Sequence, residues 1–463
     1  MLTREQLNIL CDIAGLDHVL TQKSDRICYS YDATQQQFLP DVVVHPGTAT
    51  EISRILQFAN QNHIPVLPRG AGTGFTGGSL PILGGIVLGL SRLDRILEID
   101  EENLVAIIEP GVVTADFQKA VEKVGLFYPP DPASLKVSTM GGNVAECAGG
   151  PRCVKYGVTK DYIVGLELVT PTGDIIRTGG ETMKGVVGYD LTKLICGSEG
   201  TLGVVTKIIA KLLPKPEAKK TMLVLFDSID GAANAVSAII RNKIIPTTLE
   251  FMDARTLECL RRSTELDVPN SANAALIIEV DGDIEFLDKQ AEIISESIKA
   301  LGIVDIRIAS TDVESEKLWE MRRAVTGALR QVRPQIYNED ICVPRSKVPD
   351  MIRKIDSIAQ RYGIPIVNFG HAGDGNIHVC IMVDISIPGE KESAEEVVKE
   401  VFSETLKLNG TMSGEHGVGI TKAPFISMEL EGNTVDYMKT IKKALDPNNI
   451  LNPGKMFPSD VNS

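Results

Sequence analysis

Apolar residues recur along the chain at two spacings, helical and alternating. Residues 50–62 carry Ile52, Ile55, Leu56 and Ala59 on one face, which predicts an amphipathic helix. The β-branched runs DVVVHP at 41–46 and IPVLPR at 64–69 flank it, so the order strand, helix, strand predicts a βαβ unit. A further helix is expected at 2–14. From residue 85 to about 213 the pattern turns to short strands, at 86–90, 106–109, 163–170, 174–177 and 203–213, interrupted by a helix at 114–124. The stretch PKPEAKK at 214–220 joins two prolines to a charge cluster and predicts a domain boundary. Beyond it, residues 221–226, 231–242, 247–252, 274–281, 285–301 and 303–309 alternate strand and helix signals in a ferredoxin-like manner. A helix at 314–330 follows and carries the single tryptophan, Trp319.

Apolar runs such as 104–108 and 274–278 are strand-sized, well short of the roughly 18 residues that a membrane span requires. No transmembrane segment is expected. Arg4, Glu5 and Asp12 interrupt any apolar core of a signal peptide, so the expected location is cytoplasmic, either free or peripheral to the membrane. The length of 463 residues fits two or three domains. With 61 acidic residues against 47 basic ones, and no basic run, the formal charge is −14 and nucleic acid is an unsuitable partner. Eight cysteines are scattered without a C-x-x-C, which offers neither a zinc ribbon nor an iron–sulfur cluster and reads as reduced thiols. Redox chemistry would then need an organic cofactor or a metal held without thiolates.

Two groups of motifs carry candidate chemistry. The first is RGAGTGFTGGS at 69–79, where Gly72, Gly74 and Gly77 match the dinucleotide fingerprint by spacing. In a Rossmann unit the last glycine opens a helix, whereas here LPILGG leads directly into the strand at 86–90. What remains is a glycine nest whose N–H groups can turn toward an anion. STMGGN at 138–143, CAGG at 147–150 and GSEGTLG at 197–203 add glycine-rich segments, and one extended ligand would explain them together. The second group holds half of the six histidines. FGHAGDGNIH at 369–378 predicts a hairpin with His371 and His378 on opposite arms, and SGEHGVG at 413–419 adds Glu415 and His416. Taken singly, each imidazole reads as structural. Together, two His and one Glu form a candidate site for zinc, manganese or iron. On the helix at 314–330, Arg322 and Thr326 stand one turn apart, a pairing suited to a carboxylate, while Arg323 reads as surface charge.

PRGAGTGFTGGS, YPPDP, STMGGN, AGGPR, KYG and CGSEGTLG, in this order, resemble the FAD-binding domain of the vanillyl-alcohol oxidase and p-cresol methylhydroxylase superfamily. HAGDGNIH and SGEHGVG narrow the resemblance to the D-2-hydroxyacid dehydrogenases, the group that includes the flavoprotein of glycolate oxidase and FAD-linked D-lactate dehydrogenase. It spans residues 41–457. The resemblance implies an α+β fold: a two-subdomain FAD-binding domain at 1–214, a substrate domain with a metal site at 215–420, and a segment at 421–463 that packs back toward the flavin.

By the same resemblance, Pro68, Arg69, Gly70, Ala71, Gly72, Thr73, Gly74, Gly77, Gly78 and Ser79 would cradle the pyrophosphate of FAD. Pro130, Ser138, Gly141, Gly142, Asn143, Gly149, Tyr156, Gly157, Glu199, Gly200, Val204 and Asn452 would line the rest of the cofactor. No histidine in the glycine loop suggests covalent attachment, so FAD is expected to be non-covalent. His371, His378 and Glu415 would bind a divalent metal, His416 would be the catalytic base, and Arg322 and Thr326 would bind substrate. The implied reaction is oxidation of a D-2-hydroxy acid to a 2-oxo acid. Electrons would leave to an electron-transfer flavoprotein, an iron–sulfur subunit or a quinone. Asn338 stands where relatives acting on 2-hydroxyglutarate carry lysine, which favours a short monocarboxylate, D-lactate first and glycolate next. A D-2-hydroxyglutarate dehydrogenase, a non-catalytic flavin-binding subunit and a flavin-free metalloenzyme built on the 2-His-1-carboxylate set remain as alternatives.

Overall fold

A computed structural model describes residues 1–264 and 267–458. The chain forms two units. The first comprises Met1–Gly149, Val158–Lys215 and the chain from Glu415 onward; the second comprises Gly150–Gly157 and Pro216–Gly414. The linker expected at 214–220 coincides with one crossing. The other crossings differ from the expected segments: residues 150–157 group with the second unit, which ends at Gly414, whereas 420 was expected. The reason for the first is local, since Lys155 and the Tyr156 hydroxyl both bind the Asp281 carboxylate in that unit.

The first unit contains two larger sheets and a short pairing of Leu126–Phe127 with Leu213–Pro214. In one, Val42–Val44 and Val66–Arg69 both run parallel to Ile86–Gly89, which lies between them, so the two strands of the expected βαβ unit are not neighbours. The intervening helix, Ala49–Gln61, is capped by Thr48 and buries Ile52, Ile55, Leu56 and Ala59 against this sheet, the face that the periodicity predicted. The tail enters the same core. Val66 donates to Ile450, and both Ile450 and Leu451 are buried in it. The other sheet is antiparallel, in the order Ile96–Asp100, Val105–Ile108, Val204–Lys211, Ile163–Val169, Ile175–Gly179.

The second unit is built on one seven-stranded sheet. Its order is Ile303–Ile308, Ala218–Phe226, Ala274–Gly282, Thr248–Met252, Ile366–His371, Asn376–Val383, Gln335–Cys342, with every neighbouring pair antiparallel. The alternation expected for this region supplies the first four strands, and three more extend it. Asp312–Leu329 lays Met321, Val325, Ala328 and Leu329 into a core formed by alternate residues of the sheet, among them Leu223, Ile277, Met252, Phe369 and Cys380. No helix among the described residues is long and apolar enough to cross a membrane.

The hairpin that joins Ile366–His371 to Asn376–Val383 turns at Gly375, with φ +91, where an added methyl would run into the Val343 carbonyl oxygen. Gly389 has a similar φ of +83 but open space around it. Gly389→Ala is therefore expected to cost only backbone strain, about 1 kcal/mol, and Gly375→Ala clearly more, about 3 kcal/mol. Thermal unfolding of the two variants side by side checks the order. Equal losses would show that the hairpin can retreat from Val343.

Candidate functional site

In the second unit, the register of four strands sets imidazoles beside carboxylates. Glu250 is the cross-strand neighbour of His371, and Asp340 that of His378, while Phe369 is paired with His378 between them. Since cross-strand neighbours project to the same face, a polar row crosses one end of an otherwise apolar sheet. Glu250 and Asp340 are wholly buried, and His371 and His378 are 5% and 6% exposed. The two imidazole rings meet edge to face at 5.2 Å. His371 Nδ1 is hydrogen-bonded to Glu250 Oε1, and His378 Nδ1 lies 3.7 Å from Asp340 Oδ1. Asp340 also accepts from Asn376 Nδ2 at 2.5 Å and from the Gly414 N–H at 2.9 Å.

Arg322 joins this row from the Asp312–Leu329 helix. Its Nε donates to Glu250 Oε2 at 2.8 Å, and its guanidinium lies over the Phe369 ring at 4.5 Å. Both Nη groups are left without a hydrogen bond among the described residues. The guanidinium is thus held by one edge and one face, and its remaining edge is presented for a planar anion. Burial alone would push the Glu250 carboxyl up, but the charges of His371 and Arg322 more than offset this and hold it below the usual carboxylate range. Thr326, expected to share the anion, is exposed one turn further on. Asn338 is half-buried, with Oδ1 near the Cys380 thiol, which burial pushes up to about 12.

In the first unit, the glycine loop opens on a cavity of about 400 Å³ whose lining includes Arg69, Gly70, Ala71, Val112 and Thr139. That volume lies within the range of cofactor pockets. Thr139 caps Met140–Glu146 by accepting from Gly142, and a methyl on Gly70 would collide with its hydroxyl, so the two glycine segments touch through bare backbone. Arg69 is among the residues expected to cradle the pyrophosphate. Its guanidinium donates to the carbonyls of Ser79 and Tyr31, each at 2.7 Å, and so closes the loop. Ser138 and Asn143 both bond the buried Thr114 hydroxyl, at 3.2 and 2.7 Å, which fixes residues 138–143. The Pro130 carbonyl accepts from Gln118. Gly149 is buried at the end of its segment, and Gly200, at φ +67, packs on the Pro68 ring. Val204 belongs to the core.

The tail ties these segments together. Asn452 Nδ2 donates to Gly78 and Glu199 carbonyls at 2.9 and 2.7 Å, and the Glu199 carboxylate accepts from Val418 and Gly419. The His416 carbonyl accepts from the Thr76 hydroxyl, and its ring stacks on Phe75 at 5.0 Å. The expected base therefore belongs to the same unit as the glycine loop and packs on it. Tyr156 and Gly157, expected at the cofactor, lie in the segment that groups with the second unit, where the Tyr156 hydroxyl is taken by Asp281.

Residues that the motifs did not single out complete both sites. In the cavity, His45 meets the Tyr29 hydroxyl at 3.0 Å, and burial lowers its pKa, so a neutral imidazole lines the wall. Its signal in the sequence was a histidine ending a buried strand. Glu250 had a comparable one, a charge inside the apolar run TLEFM.

Residues 40–179 match the model of the FAD binding domain, and residues 215–456 match that of the C-terminal domain of FAD linked oxidases. The chain belongs to the FAD-linked oxidases. It is similar to glycolate oxidase subunit GlcD of Bacillus subtilis, with 49% identity over the whole chain and 98% of that protein. It is also similar to D-lactate dehydrogenase of Archaeoglobus fulgidus, with 37% identity over 92% of the chain and 95% of that protein. Among solved structures, p-cresol methylhydroxylase with substrate bound shares the fold, with a TM-score of 0.81 at 19% identity over 99% of this chain and 97% of that one. Family membership makes the protein an FAD-dependent oxidoreductase acting on CH–OH, and a flavin-free metalloenzyme does not account for the match over 40–179.

Glu250 is the joint of the second unit's site, and this has a measurable consequence. Glu250→Ala leaves Arg322 and His371 without their buried counter-charge and is expected to cost about 3–5 kcal/mol. Because the folded pKa is depressed, the ionised form stabilises the fold at neutral pH, and this contribution fades as acid carries the pH down through the folded value. Thermal melts at neutral pH and near pH 4 should therefore show the gap between wild type and Glu250→Ala narrowing in acid. A gap that stays constant would assign the loss to packing instead.

Proposed function

We propose that the protein oxidises a short 2-hydroxy monocarboxylate, D-lactate or glycolate, to the 2-oxo acid and passes the electrons to a separate acceptor. The observation that carries this reading is Arg322, whose guanidinium is held by Glu250 and Phe369 with two donor groups unspent, beside two buried imidazoles backed by carboxylates. The similarity to a glycolate oxidase subunit and to D-lactate dehydrogenases supports the substrate class. Asn338 adds no cation for a second substrate carboxylate, which disfavours 2-hydroxyglutarate.

In this reading Arg322 binds the substrate carboxylate through paired hydrogen bonds. His371 and His378 supply imidazole ligands to a divalent metal, zinc, iron or manganese. Their fit rests on Glu250 and Asp340 behind them, the carboxylate backing that orients metal-bound imidazoles and fixes their tautomer. Glu415, which follows Gly414 directly in the chain, is assigned as the third ligand by its motif, and His416 as the base that takes the hydroxyl proton. Such a metal supplies Lewis acidity toward the substrate hydroxyl. FAD, held by the glycine segments of the first unit, would supply the two-electron acceptor. The 2-hydroxy acid gives up two protons and two electrons in all. The chain has no cysteine pattern for a second redox centre, so an iron–sulfur subunit, an electron-transfer flavoprotein or a quinone is assigned as acceptor.

Anaerobic titration of the flavin absorbance with glycolate, D-lactate and D-2-hydroxyglutarate tests the reading. Bleaching by one of the first two, suppressed by a chelator and restored by added metal, is the expected result. Bleaching by 2-hydroxyglutarate alone would overturn the substrate assignment, and bleaching indifferent to chelation would remove the metal. Arg322→Lys should raise KM for the acid by about tenfold or more, since an ammonium cannot reproduce the paired contact.

A further inference from the structure

Under the glycine loop of the first unit lies a group of carboxyls that the proposed reaction does not use. Glu146 is the last residue of Met140–Glu146, and its Oε2 is buried without a hydrogen-bond partner. A methyl on Gly78 would stand 2.9 Å from Glu146 Oε1 and 3.6 Å from Glu199 Oε2. One on Gly417 would run into Glu146 Oε2 and stand 3.0 Å from Glu199 Oε1. Both glutamates therefore bound the same space, beside two glycines of the loop and of the tail.

Their surroundings differ. Burial raises the pKa of Glu199, but its carboxylate accepts backbone N–H groups from Val418 and Gly419 at 2.7 and 2.8 Å, which favour its charged form. Glu146 has no such donor. Asp32 also faces it, with Oδ1 accepting from the Thr34 amide and hydroxyl and Oδ2 buried without a partner. Of the cations, Lys455 faces all three carboxyls but spends its ammonium on the Leu80 carbonyl and on Asn452 Oδ1, at 2.6 and 3.2 Å, while Lys422 faces Glu199. An ionised Glu146 would suffer loss of hydration first and repulsion by Glu199 and Asp32 next, and both raise its pKa well above the usual range. A dianionic pyrophosphate in the same unit would raise the cost of that charge further.

We propose that Glu146 is kept as a neutral carboxylic acid and donates its O–H to an acceptor atom of FAD, making it a cofactor-binding residue outside the glycine motif itself. The inference rests on FAD as the ligand of the glycine loop. It specifies the direction of the hydrogen bond, from protein to cofactor, and predicts that binding takes up or retains a proton. Glutamine reproduces the neutral acid in size and in donor capacity; alanine does not.

The test is FAD affinity of the stripped full-length chain, followed by flavin fluorescence between about pH 6 and about pH 9, with Glu146→Gln and Glu146→Ala alongside. Wild-type affinity should fall by up to about tenfold per pH unit once Glu146 in the free protein ionises. Glu146→Gln should match wild type within about threefold at the acid end and stay flat, and Glu146→Ala should be weaker throughout. The infrared difference between FAD-bound and free protein should contain a protonated-carboxyl band in wild type that is absent from Glu146→Gln. A Glu146→Gln variant that keeps the wild-type slope, or a wild type with neither slope nor band, overturns the inference while leaving FAD as the cofactor. A wild type that binds no FAD at any pH overturns the cofactor reading itself.

Discussion

A fully buried carboxylate is the constraint on which the second unit's chemistry depends. Glu250 has no water to stabilise its charge, so it persists as an anion only while His371 and Arg322 are both within reach. The dependence is mutual. Arg322 takes its orientation from the carboxylate on its Nε edge and from Phe369 on its face, and His371 takes its ring orientation from the same carboxylate. One side chain in the middle of a sheet thereby couples the group that would recognise a substrate to a group that would hold a metal. Asp340 stands 3.7 Å from His378 Nδ1 and is itself held by Asn376 and the Gly414 amide.

The first unit solves a different problem, that of keeping glycine-rich backbone in one conformation without side chains to pack. Its solution is to fasten the segments from outside. Arg69 closes the loop at 69–79 on two carbonyls, and Asn452 bridges Gly78 to Glu199. Lys442 reaches the carbonyls of Thr201 and Leu451, while Glu199 holds the amides of Val418 and Gly419. Each fastener is a buried or half-buried polar group that binds backbone of these segments, so the loops gain rigidity while their inner surfaces remain bare for a ligand.

Local pattern made much of this legible. The helix at 49–61 and the strands around it, the hairpin carrying His371 and His378, and the boundary near 215 all follow from periodicity and turn chemistry within a short window. Glu250 and Asp340 escaped because their meaning lies in register: a carboxylate becomes a histidine partner only once strands 121 and 38 positions apart in the chain are paired. Arg69 was assigned to the pyrophosphate by resemblance, and no local pattern shows that its guanidinium also closes the turn on two carbonyls. Thr326 was assigned by helical spacing and by resemblance, and spacing gives the side of the helix but not its exposure.

The first unit is assembled from three stretches of chain, and the last of them reaches its core. Ile450 and Leu451 sit among residues that begin with Leu10, and the Val66 strand hydrogen-bonds to the tail on both sides of Leu451. During synthesis, most of that unit emerges before the second unit is made, yet its core cannot close until Ile450 and Leu451 have left the ribosome. The second unit, continuous apart from residues 150–157, has nearly all it needs beforehand. A nascent chain therefore passes through a long interval in which its glycine segments exist without their fasteners. A chain cut short before Ile450 would keep that open state permanently and be exposed to proteolysis, so that only molecules extending past Asn452 accumulate with a closed glycine loop.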